Sequence, residues 1–534
     1  MVTVESEVLI IGGGLAGMMA ALAACSQGKK VTIVSKGPVG RSGNTLVSGA
    51  GISAATDEAG NDVETYLNDI LRSGKKLNRY QLTKKLAVES PLMLNKLADF
   101  GVKLVHIDGD FKKRRPPGHS VPRNIPTDWT GLSYQNRGLS FMLPLLERLQ
   151  ELNVSTISGV KICRLIKSGT NVVGAVGIDK NNQTCAFYAD SVVLATGGGG
   201  YLYAKTNNTS DVTGDGLAMA LDAGCWLQDM EQVQFYPTMM FAPVKAPISN
   251  PLFGAGAVLR NADKERFMAR YDAAGDMATR DNMARAIFSE IQSGRGVDGC
   301  VYMDCTGIQA DQLKELYKDF YHFLLAAKLD PTKDYLKVSP CVHYFLGGIV
   351  IDETAATNVP GLYAAGEICG GVHGANRLSG AALMEACVFG WQAGISAASR
   401  IRDNATHKES LLQELLFRGK PDEKCSAIIK TLRNMMWENV SLIRSEEGLQ
   451  RMTVYIEQTL QQLELGRNDV NRLSLHSMLN VAKAVTLSAL ARKESRGAHF
   501  RSDYSQTSAE FDGNVYCRKE GDSLKAEFVP GNRE

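Results

Sequence analysis

Cysteines spaced for metal binding or for a disulfide framework are missing from this sequence. The eleven that it has are scattered and odd in number, and none falls in a C-x-x-C or C-x-x-C-H arrangement. Iron–sulfur clusters and c-type haem need such groupings, so any such centre serving this chain has to sit on another polypeptide. The scattered thiols fit a reducing compartment. Charge of one sign is also lacking. Lys plus Arg total 59 against 57 for Asp plus Glu, a formal net charge of +2 over 534 residues, which offers no basic field to a nucleic-acid backbone. Long apolar runs are scarce. The uncharged stretch from Val8 to Cys25 has the length of a membrane span. It follows Glu5 and Glu7 with no Lys or Arg before it, the reverse of a signal peptide's start. Apolar residues at 44% and charged residues at 22% exclude general disorder and a membrane bundle. The length predicts two to four domains of roughly 100 to 200 residues each.

What the chain holds in excess is glycine, 52 residues gathered in clusters. Val8 to Ile11 predicts a short buried strand, and Gly12 to Gly17 reads G-x-G-x-x-G. An Ala- and Met-rich helix follows to near Gly28, and Val31 to Val34 is the next strand. This is a complete βαβ unit. Gly12 permits the tight turn, Gly14 lets a pyrophosphate approach the backbone, and Gly17 allows close packing of helix on strand. The helix N-terminus at Leu15 and Ala16 then stabilises the phosphate charge. An acidic residue usually ends the second strand to bind a ribose hydroxyl; Ser35 and Lys36 stand there instead, which weakens a plain nicotinamide reading more than a flavin one. A second strand runs into Ala195-Thr196-Gly197, a third into Gly366-Glu367, and Thr213-Gly214-Asp215-Gly216 opens a helical stretch. Three glycine-terminated strands so far apart in sequence point to one large cofactor touched from several places.

With Gln234 to Thr238, Thr279-Arg280-Asp281 with Arg285, Val342-His343-Tyr344 with Gly347-Gly348, and His373 to Gly380, these segments cover nearly the whole chain. In this order they resemble the succinate dehydrogenase/fumarate reductase flavoprotein family, which includes L-aspartate oxidase. Arg492 to His499 also looks like this family. The resemblance implies an α/β fold with a discontinuous Rossmann-like FAD-binding domain, residues 1–237 and 343–402. A capping domain, 238–342, interrupts it, and a C-terminal helical domain, 403–490, follows. Within that last part Leu449, Met452, Ile456, Leu460 and Leu463 step by three and four, the spacing of an amphipathic helix with a packing face. The polar, mixed segment 491–534 is expected to be an irregular C-terminal tail laid on the surface.

By the same resemblance, the FAD contacts fall on Gly12, Gly14, Leu15, Ala16, Gly17, Ser35, Lys36, Ser42, Asn44, Thr45, Gly49, Gly51, Ala195, Thr196, Gly197, Asp215, Glu367, Arg377 and Ser379. Asn44 stands where the membrane-complex members attach FAD through a histidine, so the flavin is expected to be noncovalent. Arg377 and His343 match the family's clamp for one substrate carboxylate, where a guanidinium supplies bidentate geometry that Lys could not. Arg280 matches the family's proton-transfer arginine. Because a free guanidinium is essentially never deprotonated, an electrostatic role rivals that one. The other end of the site departs from the family pattern. Tyr236 replaces a histidine that helps bind the second carboxylate, and Gly49 replaces a glutamine beside the flavin. Ser249 keeps a hydroxyl, but Asn250 and Phe253 replace the glutamate and arginine of the proton relay. A neutral pocket of this kind would accept a second carboxylate poorly, since a buried anion needs pairing.

Three readings follow. The leading one is an FAD-dependent flavoprotein subunit that interconverts a saturated and an unsaturated (di)carboxylate and exchanges electrons with an iron–sulfur partner. It is expected in the cytoplasm, or at a membrane only through partner subunits, with no transmembrane segment of its own and no nucleic-acid partner. The second is a stand-alone flavin oxidase similar to L-aspartate oxidase. The third is a flavin-carrying subunit without turnover.

Overall fold

A computed structural model describes residues 2–56, 60–248, 251–400, 424–463 and 470–531. Strand β1 (Val2–Ile11) has a fully buried second half, which makes an uninterrupted apolar run rather than an alternating one, as parallel strands covered on both faces require. It pairs in parallel with β2 (Val31–Ser35) on one side and with Thr184–Leu194 on the other. Ser155–Ser158 extends the sheet beyond β2, and Leu362–Ala364 extends it beyond Thr184–Leu194, both in parallel. Asn171–Asp179 and Val160–Ser168 also join it, antiparallel. Helix α1 (Leu15–Ser26) carries no charge in its first or last turn and is buried from Leu15 to Ala24. It packs against the long helix Ala381–Ser399. Small residues permit that close contact: a Cβ at Gly390 would come within 2.6 Å of the Ala16 carbonyl, and one at Gly394 within 2.2 Å of the Ala20 carbonyl.

The register brings the three glycine-terminated strands side by side. Ile11 is level with Leu194, and Leu194 with Ala364. Gly12, Ala195 and Ala365 therefore leave the sheet at the same edge, its carboxyl end, where doubly wound sheets bind ligands.

A second apolar cluster lies between Met240 and Val338 in sequence. It packs on a five-stranded antiparallel sheet ordered Ala246–Pro247, Val233–Met240, Leu336–Phe345, Val301–Asp304 and Val258–Arg260. The boundaries expected at 237/238 and 342/343 fall within two strands of this sheet that pair with each other, Val233–Met240 and Leu336–Phe345. The helices Lys424–Val440, Glu446–Gln462 and Val470–Ala491 follow. Leu449, Met452 and Ile456 are fully buried on the second of them, while Leu463 falls just past its end. Residues 403–423 of the expected helical domain lie outside the described residues. Among the described residues no helix is long and apolar enough to cross a membrane.

The C-terminal segment differs from the expected surface tail. Gly513–Glu520 and Ser523–Pro530 form a hairpin that joins Leu227–Gln228 and Gly348–Ile349 in a four-stranded sheet. Beneath it Arg492 reaches Asp229 at 3.2 Å, Glu231 at 2.6 Å and Glu494 at 3.0 Å. Arg496 shares Glu494 at 2.7 Å and takes Asp512 at 2.8 Å, and Arg501 pairs with Asp503 at 2.7 Å. These arginines are almost fully buried. The arginines of the segment are matched by carboxylates inside the protein, while residues 502–507 and most of Ser523–Pro530 do face water.

Candidate functional site

A cavity of about 520 Å³ opens at the carboxyl edge of the parallel sheet and extends to the second cluster. Of the residues expected to hold the cofactor, all but Gly17 line it. Gly17 instead lies against the preceding turn, where a Cβ would come within 2.0 Å of the Gly12 carbonyl. Gly12 itself has φ +121°, and a Cβ there would stand 2.1 Å from the Ala195 carbonyl. At Gly14, by contrast, the nearest outside atom to an added Cβ is Thr45 Oγ1 at 3.7 Å. The backbone is thus open towards the cavity where a pyrophosphate would lie. The N-cap of helix α1 is Gly14, which offers no capping side chain, the Leu15 amide meets only the Thr45 hydroxyl at 3.4 Å, and no acidic residue stands in the first turn, which suits an anion at that terminus.

The groups around this cradle are cross-linked. Lys36 donates to Thr213 Oγ1 at 2.9 Å and to Asp215 Oδ2 at 2.8 Å, and Lys161 reaches Asp215 Oδ1 at 3.1 Å. Burial would raise the Asp215 carboxyl, but Lys161 and Lys36 outweigh it and hold the group well below the usual carboxylate range. The base after β2 is therefore matched by an acid from a distant helix. Asn44 Nδ2 donates to Glu367 Oε2 at 2.8 Å and to Asn208 Oδ1 at 2.9 Å, while Asn44 Oδ1 accepts from the Thr209 amide. The Phe345 amide donates to the other Glu367 oxygen at 3.1 Å. Burial nevertheless pushes the Glu367 carboxyl up to about 7. A Cβ added at Gly49 would meet nothing within 4 Å.

Arg280, His343, Arg377 and Tyr236 meet at the end of the cavity nearer the second cluster. Arg280 opens the helix Arg280–Glu290, and His343 stands on Leu336–Phe345. Arg377 Nη2 donates to His343 Nε2 at 3.0 Å, and Nη1 donates to the Leu378 carbonyl at 2.9 Å. Nδ1 faces the Asn207 amide, with Nδ2 at 2.9 Å and Oδ1 at 3.3 Å; with Nε2 accepting from Arg377, a neutral His343 carries its proton on Nδ1 and donates it to the Asn207 amide oxygen. Burial, then the charges of Arg377 and Arg280, hold the imidazole well below its usual range, so it is neutral. The guanidinium of Arg280 lies 5.8 Å from the Tyr236 ring centre. The Nε atoms of Arg280 and Arg377 are buried without a hydrogen-bond partner, an arrangement suited to an anion that arrives from outside the chain.

Tyr236 donates its hydroxyl to the Ile248 carbonyl at 2.8 Å, and burial pushes its phenol up to about 12. Phe253 is packed inside the second apolar cluster. Ser249 and Asn250 lie outside the described residues. Arg114, Arg115 and Arg137 also line this cavity and add cations to a lining that was expected to be neutral near Tyr236; sequence reasoning missed all three. Arg114 and Arg115 follow two lysines, and Arg137 follows a polar and aromatic stretch, so neither context marks a site. Asn207, which orients His343, was missed as well. Among the described residues no group of three or more His, Cys, Asp or Glu could hold a metal ion, and all eleven cysteines are free.

Residues 7–383 match the FAD binding domain family, and residues 429–528 match the fumarate reductase flavoprotein C-terminal family. The chain is 36% identical to a fumarate reductase (CoM/CoB) subunit of Methanothermobacter marburgensis over 98% of either chain. It is 33% identical to L-aspartate oxidase of Yersinia pestis, over 93% of this chain and 96% of that protein. The solved structure of Mycobacterium smegmatis Sdh1 in complex with UQ1 superposes with a TM-score of 0.88 at 31% identity, over all of this chain and 95% of that one. With the dinucleotide cradle built from three adjacent strands and these likenesses running the length of the chain, it belongs to the succinate dehydrogenase/fumarate reductase flavoprotein family and is an FAD-dependent oxidoreductase.

Proposed function

We propose that this chain is the flavoprotein subunit of a fumarate reductase/succinate dehydrogenase-like enzyme, interconverting a saturated and an unsaturated (di)carboxylate. The observation that carries the reading is the meeting of Arg280, His343 and Arg377 at one end of the FAD cavity, with buried guanidinium nitrogens left unpartnered. FAD, held noncovalently by the cradle, supplies a centre that accepts or donates a hydride. Arg377, oriented by neutral His343, holds one substrate carboxylate beside it. Arg280 exchanges the proton on the second carbon, or stabilises the charge that develops there. The segment 238–342, which carries Arg280, acts as the cap that excludes water from the reaction. Tyr236 has its proton committed to Ile248 and positions rather than protonates.

The cysteine spacing of the sequence offers no cluster site, so the iron–sulfur group that exchanges electrons with the flavin in this reading is carried by a partner chain. That the Methanothermobacter relative is named as one subunit of its enzyme supports a complex of several chains. The free thiols support a cytoplasmic location, with any membrane attachment made through partner subunits. Anaerobic mixing of the reduced enzyme with fumarate tests the reading: the flavin should reoxidise with one equivalent of succinate formed. Bleaching of the oxidised flavin by L-aspartate, with peroxide on admission of air, would replace it with the oxidase reading. A flavin inert to both would make the chain a carrier without turnover.

A further inference from the structure

The dicarboxylate reading leaves one anionic group of the substrate without a holder. Neither Tyr236, whose hydroxyl proton is committed, nor Phe253, packed in an apolar cluster, supplies a charge. Yet a carboxylate drawn out of water needs a donor or a cation. Arg137 is on the cavity wall, and its side chain is built into place. Its guanidinium lies 4.0 Å from the Tyr134 ring centre and 5.7 Å from that of Trp129, distances at which a ring face attracts a cation. Tyr134 in turn stacks on Phe323 at 4.9 Å, and Gln135 donates to the Lys245 carbonyl at 2.9 Å. Both of those partners belong to the segment that carries Arg280. On its other side, Gly138 lies so close to the cofactor turn that a Cβ would come within 1.7 Å of the Thr45 carbonyl. The Gly138 amide also donates to the Leu46 carbonyl at 3.2 Å. Arg137 is thus pinned between the flavin cradle and the capping segment. Its Nε is buried without a hydrogen-bond partner, and among the described residues no carboxylate lies within ion-pair distance of it.

Resting on the reaction proposed above, we propose that Arg137 is a specificity-determining residue that binds the anionic group of the substrate not held by Arg377 and His343. The carboxylate contact that the family makes through a histidine at the position of Tyr236 is made, in this account, by Arg137. The site then selects dianionic over monoanionic acids of the same length.

The test titrates the holoprotein with succinate and, separately, with crotonate, following the flavin absorbance. Wild type should bind succinate more tightly than crotonate. Arg137→Gln should weaken succinate at least tenfold and change crotonate less than twofold. Arg137→Lys should recover only part of the loss, since an ammonium cannot form the bidentate pair. A wild type that does not prefer succinate, a glutamine variant that leaves succinate unchanged, or one that weakens both acids equally overturns the proposal. If Arg137→Gln does not retain FAD, the succinate-to-crotonate ratio of Arg137→Lys decides: a fall of threefold or more supports the role, and an unchanged ratio overturns it. The readout needs no turnover. A chain that binds succinate through Arg137 but neither oxidises it nor reduces fumarate breaks the proposed reaction alone.

Discussion

Arg492, Arg496 and Arg501, beneath the C-terminal hairpin, are each matched to carboxylates. Arg137, Arg280 and Arg377, at the cavity, each have a buried Nε without a hydrogen-bond partner, and among the described residues no carboxylate is within ion-pair distance of them. A buried arginine with carboxylates around it holds the fold together, because removing it strands their charge. An arginine without one can be satisfied by carbonyls, as fully buried Arg444 is by those of Val440, Ser441 and Glu231, but at the cavity the open guanidinium nitrogens are free to meet an anion. Both pairing and depth separate the two sets: Arg492, Arg496 and Arg501 are buried and matched to carboxylates, whereas Arg137, Arg280 and Arg377 are half-buried and open on the cavity.

The comparison breaks most visibly at Arg492. Arg492→Met leaves Asp229, Glu231 and Glu494 buried without their common partner, and should cost about 3 to 5 kcal/mol of stability, measured by denaturant unfolding. A loss below about 1 kcal/mol would mean that the network is ornamental.

Glu367 sharpens the comparison from the acid side, since among the described residues no cation lies within ion-pair distance of it. Burial raises its carboxyl from the ordinary value to about 7, so between those two values the folded state holds more protons than the unfolded one. Stability of the flavin-free chain should therefore fall as pH rises through this window, by up to about 3 kcal/mol. Unfolding curves at pH 5 and pH 8 for wild type and Glu367→Gln check the sign. The variant should lack this component, and equal pH dependence in both proteins would refute the assignment.

At Arg377 the effect should appear in binding. Arg377→Lys should weaken dicarboxylate binding by about 1.5 to 3 kcal/mol, the scale of a charge-assisted hydrogen bond, while FAD stays bound. Unchanged affinity in an absorbance titration would remove Arg377 from the clamp. The smallest change concerns the flavin link: Asn44 offers no imidazole, so acid precipitation should leave all the yellow colour in the supernatant. Fluorescence that migrates with the denatured chain would contradict this.

The cofactor half of the molecule was largely legible because its signals are local. Gly12 and the strand before it make a turn by themselves, and the register that aligns Ile11, Leu194 and Ala364 follows from three such strands sharing one sheet. Arg137 was not legible, because its meaning depends on Phe323, Lys245 and Thr45, which only the fold brings to it. The C-terminal hairpin was misread for a related reason. Gly513, Val515 and Cys517 alternate as inward-facing strand residues, but the charges near Arg492 suggested exposure, and their partners Asp229 and Glu231 lie far away in sequence.

The most direct test of the account compares Arg280→Met with Arg492→Met in holoprotein free of dicarboxylate, both followed by denaturant unfolding. If the cavity arginines are held unpaired for a ligand, Arg280→Met should raise stability by about 0.5 to 2 kcal/mol, as relief of an active-site strain does, while Arg492→Met lowers it. If Arg280→Met lowers stability as Arg492→Met does, the two sets of arginines are alike, and the distinction on which the site rests is wrong.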